Sequence, residues 1–163
     1  MTTRFFVPRD AAARAVGADK VASALQEVTR RQGIEIEIVR NGSRGLFWLE
    51  PLVEVVTPHG RVAYGPVDPA DVDGLLDAGL LDGAPHALCH GPTEQMPWLL
   101  RQERQTFARM GITDPLSLRD YEAHGGLAGL RRALELPAQD IIQQVLDSGP
   151  RRPGRHQVED RGR

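Results

Sequence analysis

The amino-acid sequence predicts an α/β fold, built from a strand–helix–strand unit, a β-hairpin and a further helix, with a short all-helical segment after it. Three stretches carry that expectation. Arg4-Phe-Phe-Val7 is a β-type run that stops at Pro8, which cannot donate to a strand ladder. Ala11–Val16, then Ala18–Gln32 after Gly17, is alanine-rich, with Val21, Leu25 and Val28 on one helical face, and Gly33 suits its left-handed end. Ile34-Glu-Ile-Glu-Ile-Val39 alternates apolar and charged residues, as a half-buried strand does.

The remaining elements follow in order. Asp10 is placed to cap the long helix, and Asn41-Gly42 reads as a turn. Pro51–Val56 and Arg61–Tyr64, joined by Thr57-Pro-His-Gly60, form the hairpin. Asp68 precedes a helix with Pro69 at its first position. Ala84–Gln95 is rich in turn formers and is expected to connect two halves, with Met96–Leu100 a small apolar group behind it. From Arg101 a run of short helices is expected. Gly111 ends the first, Ser117 and Asp120 open the next as a capping box, Gly125-Gly126 interrupts, and Pro137 starts the last. The order β-α-β, hairpin, helix is the thioredoxin-like arrangement. The expected organisation is therefore residues 1–84 as that domain, 85–100 as linker, 101–149 as helical segment and 150–163 as a disordered tail.

Composition sets limits on function. With 163 residues and 40% hydrophobic content the chain can bury a core. A net charge of -2 gives no electrostatic case for nucleic acid. No apolar run reaches the length of a membrane span and Met1–Arg9 has no signal-peptide core, so an integral membrane protein is not expected and the cytoplasm is. The single cysteine, Cys89, allows neither an internal disulfide nor a four-thiolate cluster.

Two resemblances add to this reading. G-I-x-D-P-x-S-L-x-D-Y-x-A-H-G-G from Gly111 to Gly126, then G-L-x-x-A-L, then a helix ending in Ser148-Gly149, resembles the start of the NADH-binding, FMN-carrying flavoprotein subunit of bacterial NADH dehydrogenases. It is most similar to the beta subunit of soluble NAD-dependent formate dehydrogenases. The resemblance implies an oxidoreductase assembly with FMN, NAD and iron–sulfur clusters, and partners among its other subunits. In that family Ser-Gly opens a glycine-rich flavin loop, whereas here Pro150-Arg-Arg-Pro153 follows. No cofactor is therefore expected in this chain, which is expected to be inactive alone and truncated before the FMN loop. The second resemblance is to thioredoxin-like [2Fe–2S] ferredoxins, which carry C-x-G-x-C-x-x-x-P before their hairpin. Gly45 and Pro51 match, while Ser43 and Phe47 stand at the two cysteine positions, and the other cysteine pair is missing around Val7–Ala12. The resemblance thus implies a thioredoxin-like domain that is cluster-free, a spacer or docking surface. A stand-alone docking module is the alternative to the subunit fragment.

No catalytic, cofactor-binding or metal-binding residue is assigned. Cys89-His90 with His86 has poor metal-ligand spacing and reads as linker. Arg40 and Arg44 flank the Asn-Gly turn and read as solvated rather than anion-binding. Ser43, His59 and Asp68 make no credible triad, His124 reads as structural, and Arg131-Arg132 with Glu135 as a wet helix face. Trp48 is open between interface contact and core. Leu118, Leu130, Ile142 and Leu146 are expected to lose burial without a flavin core. Finally, Arg155–Arg163 can be encoded so that a one-base shift reads G-I-K-W-K-T-V-A, which suggests a frameshift within the tail.

Overall fold

The computed structural model describes residues 2–149, and the expected disordered tail lies outside the described residues. The chain divides into two compact units, one ending at His124 and one beginning at Gly125.

In the first unit β1 (Thr3–Phe6) leads to α1 (Ala11–Ala15) and α2 (Ala18–Arg31), then β2 (Ile36–Val39) returns parallel to β1. Asp10 caps α1 by accepting from the Ala12 and Ala13 amides. The hairpin β3 (Val53–Thr57) and β4 (Gly60–Tyr64) adds to the other side of β1, with β3 antiparallel to it. α3 (Val72–Asp77) follows a short 3-10 turn whose capping box joins Asp68 and Asp71. A parallel β-α-β unit continued by an antiparallel hairpin and a helix, with strand order β2-β1-β3-β4, is the thioredoxin-like fold.

The sheet has a fifth strand that the sequence reading places in a linker. β5 (Cys89–Pro92) pairs antiparallel with β4, and α4 (Pro97–Leu100) follows. Cys-His-Gly-Pro has no β-branched residue and no alternation, so nothing local marks it as a strand. Pairing is imposed by the free edge of β4, reinforced where Gly65 donates to the Leu88 carbonyl at 2.9 Å and the His90 ring meets the Gly65 carbonyl at 2.7 Å. Residues 101–110, expected as a helix, are a chain of turns instead. Gly111 does adopt the left-handed conformation, at φ 78°, but closes a turn in which the Ile112 and Thr113 amides donate to the Arg109 carbonyl.

The two sheet faces are packed differently. Phe5, Val53, Val55 and Tyr64 share one face with Val21, Leu25 and Val28 of α2 and Val72 and Leu75 of α3, forming the main core. Phe6, Glu54 and Ala63, cross-strand neighbours in register, lie on the other. Among the described residues of this unit no long helix covers that second face. Leu46, Leu49, Leu52, Met96 and Ala63 make a smaller apolar cluster there, and the rest of the cover is polar.

The unit from Gly125 contains α6 (Ala128–Leu134) and α7 (Ala138–Asp147), neither with a buried residue. Leu130, Leu134, Ile142, Val145 and Leu146 are all exposed, as expected for Leu130, Ile142 and Leu146. Leu118, on α5 (Leu118–Ala123) in the first unit, is exposed as well.

Candidate functional site

The loop after β1 and the loop after β2 meet at one corner, where the sequence places Ser43 and Phe47. The Ser43 amide donates to the Asp10 carboxylate at 2.8 Å, so the residue that caps α1 also fixes this second loop. The Ser43 hydroxyl donates to Glu50 at 2.7 Å and accepts from the Gly45 amide at 3.0 Å. Glu50 is buried, and desolvation pushes its carboxyl above the ordinary range. The Ser43 hydrogen bond opposes that rise, and the negative charges of Asp10 and Glu54 add to it. Phe47 opens a 3-10 turn, Phe47–Leu49, and stands 62% exposed.

Beneath the corner lies a buried ion network, and here the reading of Arg40 and Arg44 as solvated is corrected. Arg44 and Glu54 have side chains only 2% and 1% exposed and pair through two hydrogen bonds, of 3.0 and 2.8 Å. Glu94 takes a third Arg44 nitrogen at 2.7 Å, and Arg61 lies 3.5 Å from Glu54. Burial lowers the Arg44 pKa, but the bonds and charges of Glu54 and Glu94 outweigh it and the net shift is upward. For Arg61 burial wins, and its pKa is lowered. The Arg61 guanidinium also sits over the Phe6 ring, 3.3 Å from its centroid. Arg40 donates to the Val7 and Pro8 carbonyls and pairs with Asp19 at 2.7 Å. Its loop neighbour Asn41 is buried and forms no turn. The Asn41 side-chain amide donates to the Gly111 carbonyl at 2.7 Å.

The same groups hold the strap 101–112 down. Arg61 donates to the Gly111 and Ile112 carbonyls, both at 2.7 Å, and Arg104 donates to the Arg44 carbonyl. Gly111 is required there, because a Cβ would stand 2.3 Å from the Arg44 Cδ. Between strap and corner is an open cavity of about 790 Å³, lined by Asp10, Ser43, Phe47, Arg104, Phe107 and Met110 among others. Beside it the exposed Trp48 meets Trp98 edge to face, ring centroids 5.3 Å apart. This decides the position of Trp48 in favour of the surface.

The other sequence candidates are dispersed. The His86 ring accepts from the Leu88 amide and the Cys89 sulfur accepts from the Gly91 amide, on the edge strand farthest from β2. His59 is exposed in the hairpin turn and Asp68 caps a 3-10 turn, so neither joins Ser43. The His124 ring bonds to the Asp120 carbonyl at 2.8 Å. Ser117 caps α5 as expected, while the Asp120 carboxylate accepts from the Asp114 amide rather than from Ser117. Arg131, Arg132 and Glu135 are exposed. The Arg44–Glu54–Arg61 network went unread in the sequence. The one signal for it was Glu54, a charge inside an otherwise apolar strand.

Chemically the corner is saturated. Asp10, Ser43 and Glu50 spend their polar atoms on one another and on backbone amides, and Phe47 offers no donor. Iron–sulfur clusters need thiolates, and Cys89 lies on another edge of the sheet, so the residues at this corner do not fit a [2Fe–2S] cluster. Among the described residues no group of three or more His, Cys, Asp or Glu side chains could hold a metal ion, and no helix is long and apolar enough to cross a membrane.

Strand order, strand direction and helix placement together define a thioredoxin-like unit. Among solved structures the chain is similar to the wild-type thioredoxin-like [2Fe–2S] ferredoxin from Aquifex aeolicus, at 25% identity over 55% of this chain and 97% of that one, with a TM-score of 0.45. A second structure of a thioredoxin-like [2Fe–2S] ferredoxin from the same organism matches at 24% identity over 59% and 96%, TM-score 0.49. A Cys-to-Ser variant matches at 26% over 55% and 98%, TM-score 0.45. No family model and no curated protein matches the chain.

Proposed function

We propose that the chain corresponds to the leading region of the flavoprotein subunit of a soluble NAD-dependent formate dehydrogenase or related NADH dehydrogenase, with a cluster-free thioredoxin-like unit serving as a docking module. In such an assembly electrons pass between iron–sulfur clusters, FMN and NAD on other parts of the complex. The unit described here positions those parts and carries no electrons. The observation behind this reading is the residue order from Gly111 to Gly126, followed by helices whose apolar faces find no cover. Leu130, Leu134, Ile142, Val145 and Leu146 at helical spacing are a packing surface built for another body of protein. A stand-alone docking module is the second reading, and the exposed Trp48–Trp98 pair favours it.

The test is complementation. The flavin core of a soluble NAD-dependent formate dehydrogenase, expressed without its own leading region, is mixed with the full chain. Co-elution, together with restored electron transfer from NADH to a dye, supports the assignment. If the core and the chain elute apart at micromolar concentration, the docking-module reading replaces it.

A further inference from the structure

We propose that the cavity between the corner and the strap binds a small monocarboxylate with an aromatic body, held by Arg104 and flanked by Phe47 and Phe107. The cavity, of about 790 Å³, has the size of a small-molecule site, for which ~300–1,000 Å³ is usual. Its apolar lining comes from both boundaries, Phe47 from the corner and Phe107 and Met110 from the strap. Both rings are exposed, at 62% and 64%, so a guest ring has aromatic area to pack on. The strap side is fixed before any guest arrives. Asn41 and Arg61 hold the Gly111 and Ile112 carbonyls, and Met110 rests on Gly42, where an added Cβ would stand 2.8 Å from the Met110 Cε.

The charges of the lining identify the guest. Arg44 is paired with Glu54 and Glu94, and the Asp10 oxygens accept from the Ala12, Ala13 and Ser43 amides. Arg104 differs. Its Nε donates to the neutral Gln102 Oε1 at 2.9 Å and its Nη2 to the Arg44 carbonyl, which fix the guanidinium without cancelling its charge. Among the described residues no carboxylate pairs with Arg104, and its Nη1 has no acceptor. A positioned cation with a donor to spare, beside aromatic walls, suits an anion through a charge-assisted bond. Glu103 lines the same cavity and repels that anion, which favours a single negative charge over the near-double charge of a phosphate monoester. An aromatic monocarboxylate meets all of these conditions. The site is independent of the reading of the helices after Gly125 and of any flavin assembly.

Titration of the full, isotope-labelled chain with naphthoate, followed by NMR, tests this. Amide shifts are expected at Ser43, Gly45, Phe47 and Phe107, with a dissociation constant of about 0.1–1 mM for a guest of this size. Naphthylmethylamine, the same ring with a positive charge, should bind about tenfold more weakly, and naphthyl phosphate more weakly as well. Arg104→Gln should weaken naphthoate about tenfold, the loss typical of a hydrogen bond to a charged group. Glu103→Gln should tighten it about two-fold, and Arg101→Gln, outside the cavity lining, should change nothing. If Arg104→Gln loosens the strap, seen as a displaced Gly111 amide without ligand, the comparison of acid and amine on the unaltered chain decides. The absence of shifts at millimolar naphthoate overturns the proposal. So do equal affinities for acid and amine, tightest binding by the phosphate, or an Arg104→Gln chain that keeps its strap and binds naphthoate as tightly.

Discussion

The Arg44–Glu54 pair buries two opposite charges, an arrangement sensitive to single changes. Burying two charges is repaid only when geometry is good and every remaining donor is used. Two bonds to Glu54 and one to Glu94 engage all three nitrogens of the Arg44 guanidinium, and Arg61 lies 3.5 Å from Glu54. Arg44→Met should therefore destabilise the chain by about 3–5 kcal/mol, the cost of leaving one buried partner unpaired. Urea unfolding measures it, and a loss below about 1 kcal/mol would show the network to be solvent-screened. Glu50 gives a pH dependence with a definite sign. Its folded carboxyl holds the proton more tightly than the ordinary value of 4.5. The stability this supplies is complete below pH 4.5 and is lost as pH rises through the elevated folded value. Glu50→Gln keeps an acceptor for Ser43 and removes the titration. Its unfolding free energy should be flatter than that of the parent above pH 4.5, and an unchanged slope would assign the dependence to other groups.

At the scale of elements, the strap and the helices after it are held by different forces. Residues 101–112 form no helix and are pinned by carbonyl-directed bonds from Asn41, Arg61 and Arg104. Gly111→Ala places a methyl against the Arg44 side chain and forces a left-handed alanine, together worth about 1–3 kcal/mol. Limited proteolysis should then cut within 101–112 faster while the sheet stays intact, and an unaltered rate would mean the strap is held elsewhere. α7 shows the opposite case. Its ten residues carry an apolar stripe with no buried member, and isolated helices shorter than ~12–15 residues are marginal in water. Amide exchange in α7 should be at least ~100-fold faster than in α2, whose Val21 and Leu25 are buried in the main core. Equal protection would mean that α6 and α7 close on a core of their own.

At the scale of the whole molecule, a thioredoxin-like fold is present and the corner at Ser43 and Phe47 is given to packing and hydrogen bonds. Incubation of the purified chain with iron, sulfide and reductant, and separately with FMN, should leave it colourless. Ser43→Cys with Phe47→Cys should leave the result unchanged, because Asp10 and its neighbours supply no second thiolate pair. A cluster spectrum in that double variant would mean the ligand positions lie elsewhere.

The sequence alone determined the strand–helix–strand unit, the hairpin and the caps at Asp10, Asp68 and Ser117, because each depends on signals within a few residues. Periodicity fixes which face of α2 is apolar, and a cap is made between a side chain and the first turn that follows it in the chain. Leu118, Leu130, Ile142 and Leu146 were expected to lose burial and are exposed. Tertiary structure decided the rest. Cys89–Pro92 became a strand because β4 offered a free edge, and residues 101–110 gave up their helix to polar hooks from β4 and the loop after β2. Arg40 and Arg44 look solvated beside Asn-Gly, but Arg44 is buried and Arg40 half-buried, because their partners Asp19, Glu54 and Glu94 approach only after the chain has folded. A charge's environment is set by its neighbours in space, and a single sequence names them only when they are also neighbours in the chain.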